Sequence, residues 1–298
     1  MCGIVGLFLK DRSLEPRLGT MVAGMLATMC ERGPDSAGFA VYGQPTEGRA
    51  KITLQSPEAD TAFADLSADL RRATGVEAAL HAISTHAVLT VPSDKVDVIR
   101  AELKANHPGI RQMSVGETIE IYKEVGNPRT VAGQFALSDM CGTHAIGHTR
   151  MATESAVTTL GAHPFSTGPD QCLVHNGSLS NHNSLRRELV REGMSFETEN
   201  DSEVAAAYLT HQMNGGKNLG QALEKSLDDL DGFFNFVVGT RNGFGVIRDP
   251  IACKPAVMAE TAQWVAFGSE YRALVDLPGI EAARVWEPEP ATVYFWER

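Results

Sequence analysis

The residue best suited to chemistry is Cys2, which directly follows Met1. A small second residue generally permits removal of the initiator methionine, so we expect the mature chain to begin with this cysteine. One residue would then carry both a thiol and a free α-amine, and an amine with a pKa of about 7.7–8.0 can accept the thiol proton. Taken alone, the position favours a small buried cysteine. The motifs further along the chain reverse that preference.

Six short motifs rich in Gly, Asn, Asp, His and Arg follow. They are RGPDSAG (32–38), GHTRMAT (147–153), AHPF (162–165), HNGSLSN (175–181), NDSE (200–203) and RDP…KP (248–255). Each has an ordinary alternative explanation on its own. Asn-Gly is the commonest tight-turn dipeptide, and an Asp before Ser-Glu could cap a helix. The information lies in the number and order of the motifs.

In this order, and with the opening MCGIVG, the motifs resemble those of the class II glutamine amidotransferases. These are the N-terminal-nucleophile glutaminases found in asparagine synthetase, glucosamine-phosphate synthase, amidophosphoribosyltransferase and glutamate synthase. The resemblance runs from residue 2 to about residue 275, through GSEYRAL. It implies hydrolysis of L-glutamine to glutamate and ammonia.

The resemblance implies three catalytic residues. Cys2 would attack the side-chain amide of glutamine, form a γ-glutamyl thioester and release ammonia, which replaces one difficult step by two easier ones. Asn176 and Gly177 would form the oxyanion hole with a side-chain NH₂ and a backbone N–H. Losing one such donor typically costs about 10²–10³ in rate.

The resemblance also implies four substrate-binding residues. Arg150 would hold the substrate α-carboxylate, because a planar guanidinium matches a planar anion. Asp201 would hold the α-ammonium, Thr153 would shape the glutamine pocket, and Arg32 would lie in the loop that lines the same cleft. Many relatives have an aromatic residue where this chain has Met151, so we expect a softer or reshaped pocket wall.

Composition excludes several other classes of function. The 298 residues carry 37 acidic and 26 basic side chains, a net charge of −11 that argues against nucleic acid and membrane surfaces as partners. The apolar opening, residues 1–9, is too short to span a membrane and lacks the basic flank of a signal peptide. Five cysteines without a C-x-x-C pair favour a reduced, cytoplasmic protein. The histidines lack metal-ligand spacing, and we interpret His175 as a structural hydrogen bonder.

The pattern of elements predicts an α+β fold. In the second half of the chain, strand-like runs are interleaved with helices predicted at 181–192, 202–213 and 218–230, which favours an αββα sandwich. Arg241-Asn242-Gly243 predicts a hairpin turn between two strands. Pattern and resemblance together predict an N-terminal-nucleophile hydrolase αββα sandwich over residues 1–298.

A segment at 43–140 lies between the chemistry motifs and contains none of them. Helices at 57–73 and 96–106 and strands at 85–91 and 117–125 predict an inserted small α/β lobe. We expect the lobe to have its own core and to dock a partner synthase or another copy of this subunit; the alternative is a structural elaboration that only covers the rest of the fold. The apolar residues assigned to that core are Val88, Leu89, Val91, Ile119 and Ile121.

The sequence lacks a pyrophosphatase loop of the SGGxDS type and a P-loop, so we expect the ammonia-consuming synthase to be a separate subunit in a hetero-oligomer. The chain resembles stand-alone, glutamate-synthase-type amidotransferase subunits such as that of N-methylglutamate synthase. That resemblance implies a flavin-containing, glutamate-synthase-like partner and no cofactor in this chain. Two alternatives remain: a free-standing amidase acting on another γ-glutamyl or acyl amide, and a non-catalytic scaffold subunit.

Overall fold

Two stacked antiparallel sheets dominate the computed structural model, which describes residues 2–152 and 156–298. The larger sheet has seven strands, numbered here by their order in the chain. In spatial order they are β15 (Arg284–Trp286), β13 (Val257–Glu260), β14 (Trp264–Gly268), β1 (Gly3–Leu9), β8 (His144–Arg150), β2 (Ser36–Tyr42) and β7 (Ile119–Val125). The short N-terminal strand β1 therefore lies at the centre of this sheet.

The second sheet has five strands and packs face to face on the first. Its strands, in spatial order, are β16 (Thr292–Glu297), β12 (Gly243–Arg248), β11 (Gly232–Gly239), β10 (Gln171–Leu179) and β9 (Phe165–Gly168). The hairpin predicted at Arg241-Asn242-Gly243 is confirmed, because Thr240 N donates to Gly243 O at 2.9 Å between β11 and β12. Apolar side chains such as Ile4, Val174 and Phe244 fill the space between the sheets.

Helices cover the outer face of each sheet. Those on the seven-stranded sheet are α1 (Leu18–Thr28) and α5 (Pro128–Gln134), and those on the five-stranded sheet are α6 (His182–Arg191), α7 (Asp201–Asn214) and α8 (Leu219–Asp229). The predicted αββα sandwich is confirmed, and the three helices predicted for the second half lie within two residues of their observed ends. None of the helices in the described ranges is long and apolar enough to cross a membrane.

The inserted lobe has a sheet of its own. Its elements, in chain order, are β3 (Arg49–Gln55), α2 (Ala59–Ala64), α3 (Leu66–Thr74), β4 (Ala79–Ile83), β5 (His86–Pro92), α4 (Val96–Asn106) and β6 (Arg111–Gly116). The strands lie antiparallel in the order β4-β5-β3-β6, which is the βαββαβ connectivity of ferredoxin-like folds. Leu54, Leu70, Leu89 and Ile99 are fully buried in its separate core.

The lobe covers fewer residues than expected. Its elements run from Arg49 to Gly116, whereas the predicted segment was 43–140. The strand predicted at 117–125 is β7, which pairs with β2 in the seven-stranded sheet rather than with the lobe. Ile119 and Ile121 therefore pack between the two large sheets, and Val88 packs in the cluster that includes α1, whereas Leu89 and Val91 do belong to the lobe core. Alternation along a strand shows which face is apolar but does not identify the partner strand.

One carboxylate fixes the exit of the lobe to the sandwich. Asp170, in the turn between β9 and β10, accepts hydrogen bonds from Glu117 N, Thr118 N and Thr118 Oγ1, each at 2.8 Å, and from Ile119 N at 3.0 Å. A Cβ at Gly116 would lie 2.3 Å from Asp170 Oδ1, so only glycine permits this approach. The turn after β6 is thereby held against the five-stranded sheet.

Five of the nine histidines are buried in the folded chain. Burial, which disfavours the charged imidazolium, is the largest cause of a lowered pKa in each of them. The pKa falls from 6.5 to about 3 in His86, His144 and His148, and to about 4 in His175. In His163 it falls well below 6.5.

We expect the free energy of unfolding to decrease as the pH is lowered from about 7 to about 5. Below 6.5 these histidines take up protons in the unfolded chain but remain neutral in the folded protein, so the unfolded state binds more protons. Each histidine can contribute up to about 1.4 kcal/mol per pH unit in this window. Urea unfolding at several pH values measures the effect.

The matched control is His86→Phe, which places a neutral ring beside Tyr122 and Phe135. This variant should show a weaker pH dependence than the parent protein, because one titrating group has been removed. An unfolding free energy that stays constant between about pH 7 and pH 5 would contradict the assignment of neutral buried histidines.

Candidate active site

The Cys2 thiol lies where the central strands of the larger sheet end. Gly3 pairs with Thr149 across β1 and β8, so the residues just beyond this pair meet. Met151 N lies 3.4 Å from Cys2 Sγ and donates to it, and Met151 O lies 3.8 Å from the same sulfur. The side chain is partly exposed. A nucleophile at this position is accessible to a small substrate.

Asn176 brings the second sheet to the same point. It lies on β10, and its Nδ2 is 3.3 Å from Cys2 O and 3.3 Å from Ser269 Oγ. Ser269 follows β14, and its hydroxyl also accepts a hydrogen bond from Ile4 N at 2.9 Å. The Asn176 side chain is buried. Its NH₂ group is thereby fixed beside the backbone of the residue that carries the thiol.

His148 determines which way the Asn176 amide faces. His148 Nε2 lies 3.0 Å from Asn176 Oδ1 and 3.2 Å from His175 O. Both partners are acceptors, so Nε2 carries the proton and donates. Because the pKa of His148 is lowered to about 3, chiefly by burial, the ring is neutral at neutral pH. The amide oxygen is held by His148, which leaves the NH₂ group directed towards Cys2.

Gly177 follows Asn176 and provides bare backbone at the site. Its φ is +152°, and a Cβ at this position would lie 2.0 Å from Phe233 O and 2.7 Å from His175 Nε2. Any side chain would therefore clash. Glycine is required for the backbone to follow this path, and the residue itself is exposed.

Arg32 holds Cys2 from a second direction. Its Nε donates to Cys2 O at 3.0 Å, and its Nη1 lies 2.6 Å from Glu270 Oε1. Glu270 also pairs with Arg272 at 2.6 Å. The hydrogen bond from Arg32 is the largest cause of the lowered pKa of Glu270. The guanidinium is thus anchored by a carboxylate while it contacts the backbone of Cys2.

Arg150 is the last residue of β8 and is 8% exposed. Its Nη1 donates to Ala156 O at 3.3 Å. Asp35, in the RGPDSAG motif, fixes the surrounding turn: its N donates to Arg150 O at 3.1 Å and its Oδ2 accepts from Ala152 N at 2.8 Å. Met151 is 46% exposed beside it. Thr153, like Met1, lies outside the described residues.

Asp201 begins α7 at the far end of β10. Its Oδ2 accepts a hydrogen bond from Leu179 N at 2.9 Å. The capping role considered for this residue is taken by Asn200, whose side chain accepts from Ser202 N at 2.9 Å. His175 Nδ1 lies 2.9 Å from Ser202 Oγ, in agreement with its interpretation as a structural hydrogen bonder.

Four residues of this network received no individual role from the sequence, although each lies in a motif. They are Asp35 in RGPDSAG, His148 in GHTRMAT, and Ser269 and Glu270 in GSEYRAL. They contact or orient Cys2, Arg32, Asn176 or the turn after Arg150 rather than presenting reactive atoms of their own. Within residues 2–152 and 156–298, no group of three or more His, Cys, Asp or Glu side chains could hold a metal ion.

Arg32 and Asn176 both contact the carbonyl oxygen of Cys2. Gly177 adjoins Asn176 in sequence, and Arg150 adjoins Met151, whose N–H contacts the thiol. Asp201 contacts Leu179, three residues along β10 from Asn176. A partly exposed thiol beside N–H donors suits nucleophilic attack on a carbonyl group. A guanidinium and a carboxylate at the margins suit a substrate that carries both charges.

Comparisons with known proteins agree with this chemistry. A family profile described as "Glutamine amidotransferase domain" matches residues 148–276. The glutamine amidotransferase-like protein GlxB from Rhizobium meliloti is 67% identical over 297 residues, covering 100% of this chain and 98% of that protein. Amidophosphoribosyltransferase from Synechocystis is 33% identical over 181 residues, covering 58% of this chain and 36% of that protein.

Solved structures show the same fold at lower identity. The glutamine phosphoribosylpyrophosphate amidotransferase from B. subtilis has a TM-score of 0.62 and 19% identity, over 99% of this chain and 47% of that chain. The chain thus spans about half of that protein, whose fold confirms the predicted N-terminal-nucleophile sandwich. With a relative as similar as GlxB matched over nearly its whole length, the chain belongs to the class II glutamine amidotransferases.

Proposed function

We propose that this protein hydrolyses L-glutamine to L-glutamate and ammonia through a thioester on Cys2. The observation that carries the proposal is the contact between Asn176 Nδ2 and Cys2 O at 3.3 Å. It places a fixed amide donor from one sheet beside the backbone of the residue that carries a partly exposed thiol at the end of the other. An amide donor next to a sulfur nucleophile is the arrangement that acyl transfer requires.

In the proposed mechanism, loss of Met1 frees the α-amine of Cys2, which takes the thiol proton. The thiolate attacks the side-chain amide carbon of glutamine, and the resulting oxyanion accepts hydrogen bonds from Asn176 Nδ2 and Gly177 N. The ammonium returns its proton to the leaving nitrogen, and ammonia departs as the thioester forms. Water then attacks the thioester, releasing glutamate and restoring the thiol.

We propose that charged side chains recognise the amino-acid end of glutamine. Arg150 would bind the α-carboxylate, Asp201 the α-ammonium, and Thr153 would form part of the pocket wall. The guanidinium of Arg32 already contacts Cys2 O and Glu270, so we propose that it positions the nucleophile within the cleft. Of the described residues in this set, Arg32 contacts Cys2 from the loop before β2 and Arg150 ends β8.

We further propose that a separate synthase subunit consumes the ammonia in a cytoplasmic hetero-oligomer. The proposed partner contains flavin and resembles glutamate synthase, as in N-methylglutamate synthase. The proposal is supported by the motifs of the sequence, among which we find neither an SGGxDS pyrophosphatase loop nor a P-loop for an ammonia-consuming reaction. The lobe is our candidate for the contact.

A diazo-ketone analogue of glutamine should alkylate Cys2 and leave the other four cysteines unmodified. Asn176, a proposed oxyanion donor, contacts the backbone of Cys2, so the analogue should react there. Mass spectrometry of the intact chain and its peptides locates the adduct and also shows whether Met1 has been removed. Cys30→Ser is the control, because that thiol is also partly exposed. An adduct on Cys30 or Cys141, or an active protein that retains Met1, would contradict the mechanism.

Asn176→Ala should lower kcat by about 10²–10³ with little change in KM, since its donor acts on the transition-state oxyanion.

Arg150→Lys should instead raise KM for glutamine, because an ammonium cannot make a bidentate contact with a carboxylate. Steady-state glutamate release separates the two effects, and circular dichroism checks folding. An unchanged kcat in folded Asn176→Ala, or an unchanged KM in Arg150→Lys, would remove that residue from its role.

Purification from the native host should recover a second chain that contains flavin. Glutamine-dependent amino transfer should then require both chains, whereas glutamine hydrolysis should require only this one. Isotope-labelled amide nitrogen traces the ammonia into the product. Hydrolysis of other γ-glutamyl or acyl amides in preference to glutamine, without a co-purifying chain, would favour the free-standing amidase instead.

A further inference from the structure

The loop at 156–164, which connects the turn after Arg150 to β9, wraps around the edge strand β7. Lys123 on β7 holds the loop from the face between the sheets. Its Nζ donates to Ala162 O at 2.8 Å, Leu160 O at 3.2 Å and Pro164 O at 3.3 Å. The loop is thereby attached to β7 through its backbone.

Glu124, the next residue of β7, holds the same loop from the opposite face. Its Oε1 accepts a hydrogen bond from Thr159 Oγ1. Its Oε2 accepts one from Thr85 Oγ1 at 2.8 Å. Thr85 belongs to the lobe, in the turn between β4 and β5. One carboxylate therefore receives a hydroxyl from the lobe and a hydroxyl from the loop.

The lobe turn that carries Thr85 is itself held in place. Ser56 N donates to Thr85 O at 2.9 Å within the lobe. Gln134, at the end of α5, donates from Nε2 to Ser84 Oγ at 2.8 Å. The position of the Thr85 hydroxyl is therefore defined by both the lobe and the sandwich, and Glu124 connects that position to the loop.

The loop contacts the arginine to which the proposed function assigns the substrate carboxylate. Arg150 Nη1 donates to Ala156 O at 3.3 Å. Near the other end of the loop, a Cβ at Gly161 would lie 3.5 Å from the same Nη1, so this part of the loop also lies against the guanidinium. Any shift of the loop would change the surroundings of this guanidinium.

We propose that Glu124 is a positioning residue through which the lobe sets the geometry of Arg150 and hence the affinity for glutamine. The path runs from Thr85 to Glu124, to Thr159, and along the loop to Arg150. The inference rests on the proposed function for the role of Arg150. It assigns to the lobe an effect on substrate binding, even though the lobe contributes no residue to the site described above.

The first test replaces the lobe hydroxyl. Thr85→Val should raise KM for glutamine by about three- to tenfold with kcat nearly unchanged, because Arg150 is displaced while Cys2 and Asn176 are not. Thr85→Ser should restore the KM, since it keeps the hydroxyl. The matched control is Thr74→Val, which removes a lobe hydroxyl whose bonds, to Leu70 O and from Val76 N, stay within the lobe.

A double-mutant cycle tests the shared carboxylate. If Thr85 and Thr159 act through Glu124, the effects of Thr85→Val and Thr159→Val on KM should be less than additive. Glu124→Leu should reproduce most of the combined effect, because it removes both carboxylate oxygens that accept from the two hydroxyls. Additive effects, or equal KM changes in Thr85→Val and Thr74→Val, would overturn the proposal.

Hydrogen exchange separates this inference from the proposed function. In the protein without substrate, backbone amides of 156–164 should exchange faster in Thr85→Val than in the parent protein or in Thr74→Val. Faster exchange in Thr85→Val, together with a parent protein that does not hydrolyse glutamine, would support the connection and reject the proposed function. An active parent protein with unchanged exchange and KM in Thr85→Val would reject the connection alone.

Discussion

The carbonyl oxygen of Cys2 is the contact on which the site depends. It accepts hydrogen bonds from Arg32 Nε at 3.0 Å and from Asn176 Nδ2 at 3.3 Å. Arg32 lies in the loop between α1 and β2, and Asn176 lies on β10 of the other sheet. The packing of the two sheets thus determines how far the thiol lies from its proposed oxyanion donors, and any relative movement of the sheets would separate them.

Neutral polar groups perform much of the positioning inside the sandwich. His148 is deeply buried, and its neutral ring donates to Asn176 Oδ1 without the cost of burying a charge. Lys123 differs, because desolvation lowers the pKa of its buried amine only to about 8; the amine stays mostly protonated near pH 7 and donates to three carbonyl oxygens. The buried neutral imidazoles orient their neighbours, but they lower the free energy of unfolding in acid. As the pH falls, the unfolded chain takes up protons that these imidazoles do not accept in the folded protein.

Sequence reasoning identified the layers of the fold because periodicity reports burial directly. The strand-like runs of the second half, interleaved with three helices, required apolar partners for their buried faces, which led to the αββα sandwich. It placed β7 in the wrong sheet, since Ile119 and Ile121 would look equally apolar in either one. Strands β3, β4 and β6 were missed: β4 is an exposed edge strand without a regular apolar face, and a register shift at Thr53 and Leu54 interrupts the pairing of β3 with β6.

Only part of the candidate site could be predicted from the sequence. Residues that present reactive or charged atoms could be proposed from their motifs, because their chemistry is a property of the residue type. His148, Ser269 and Glu270 orient those residues, and orientation is a property of three-dimensional distances that no residue type reveals. Glu124 shows the same limit more strongly, because its two hydroxyl partners, Thr85 and Thr159, are distant from one another in the chain.

The lobe leaves and rejoins the sandwich at nearly the same point. Tyr42 and Ile119 are partners across β2 and β7, and Gly43 N donates to Thr118 O at 3.0 Å. In topological terms, the lobe occupies the place of a hairpin turn between two neighbouring strands. The entropy of closing such a connection grows only slowly with its length. The lobe is therefore a module that this hairpin position can gain, lose or exchange while the pairing of β2 with β7 is preserved.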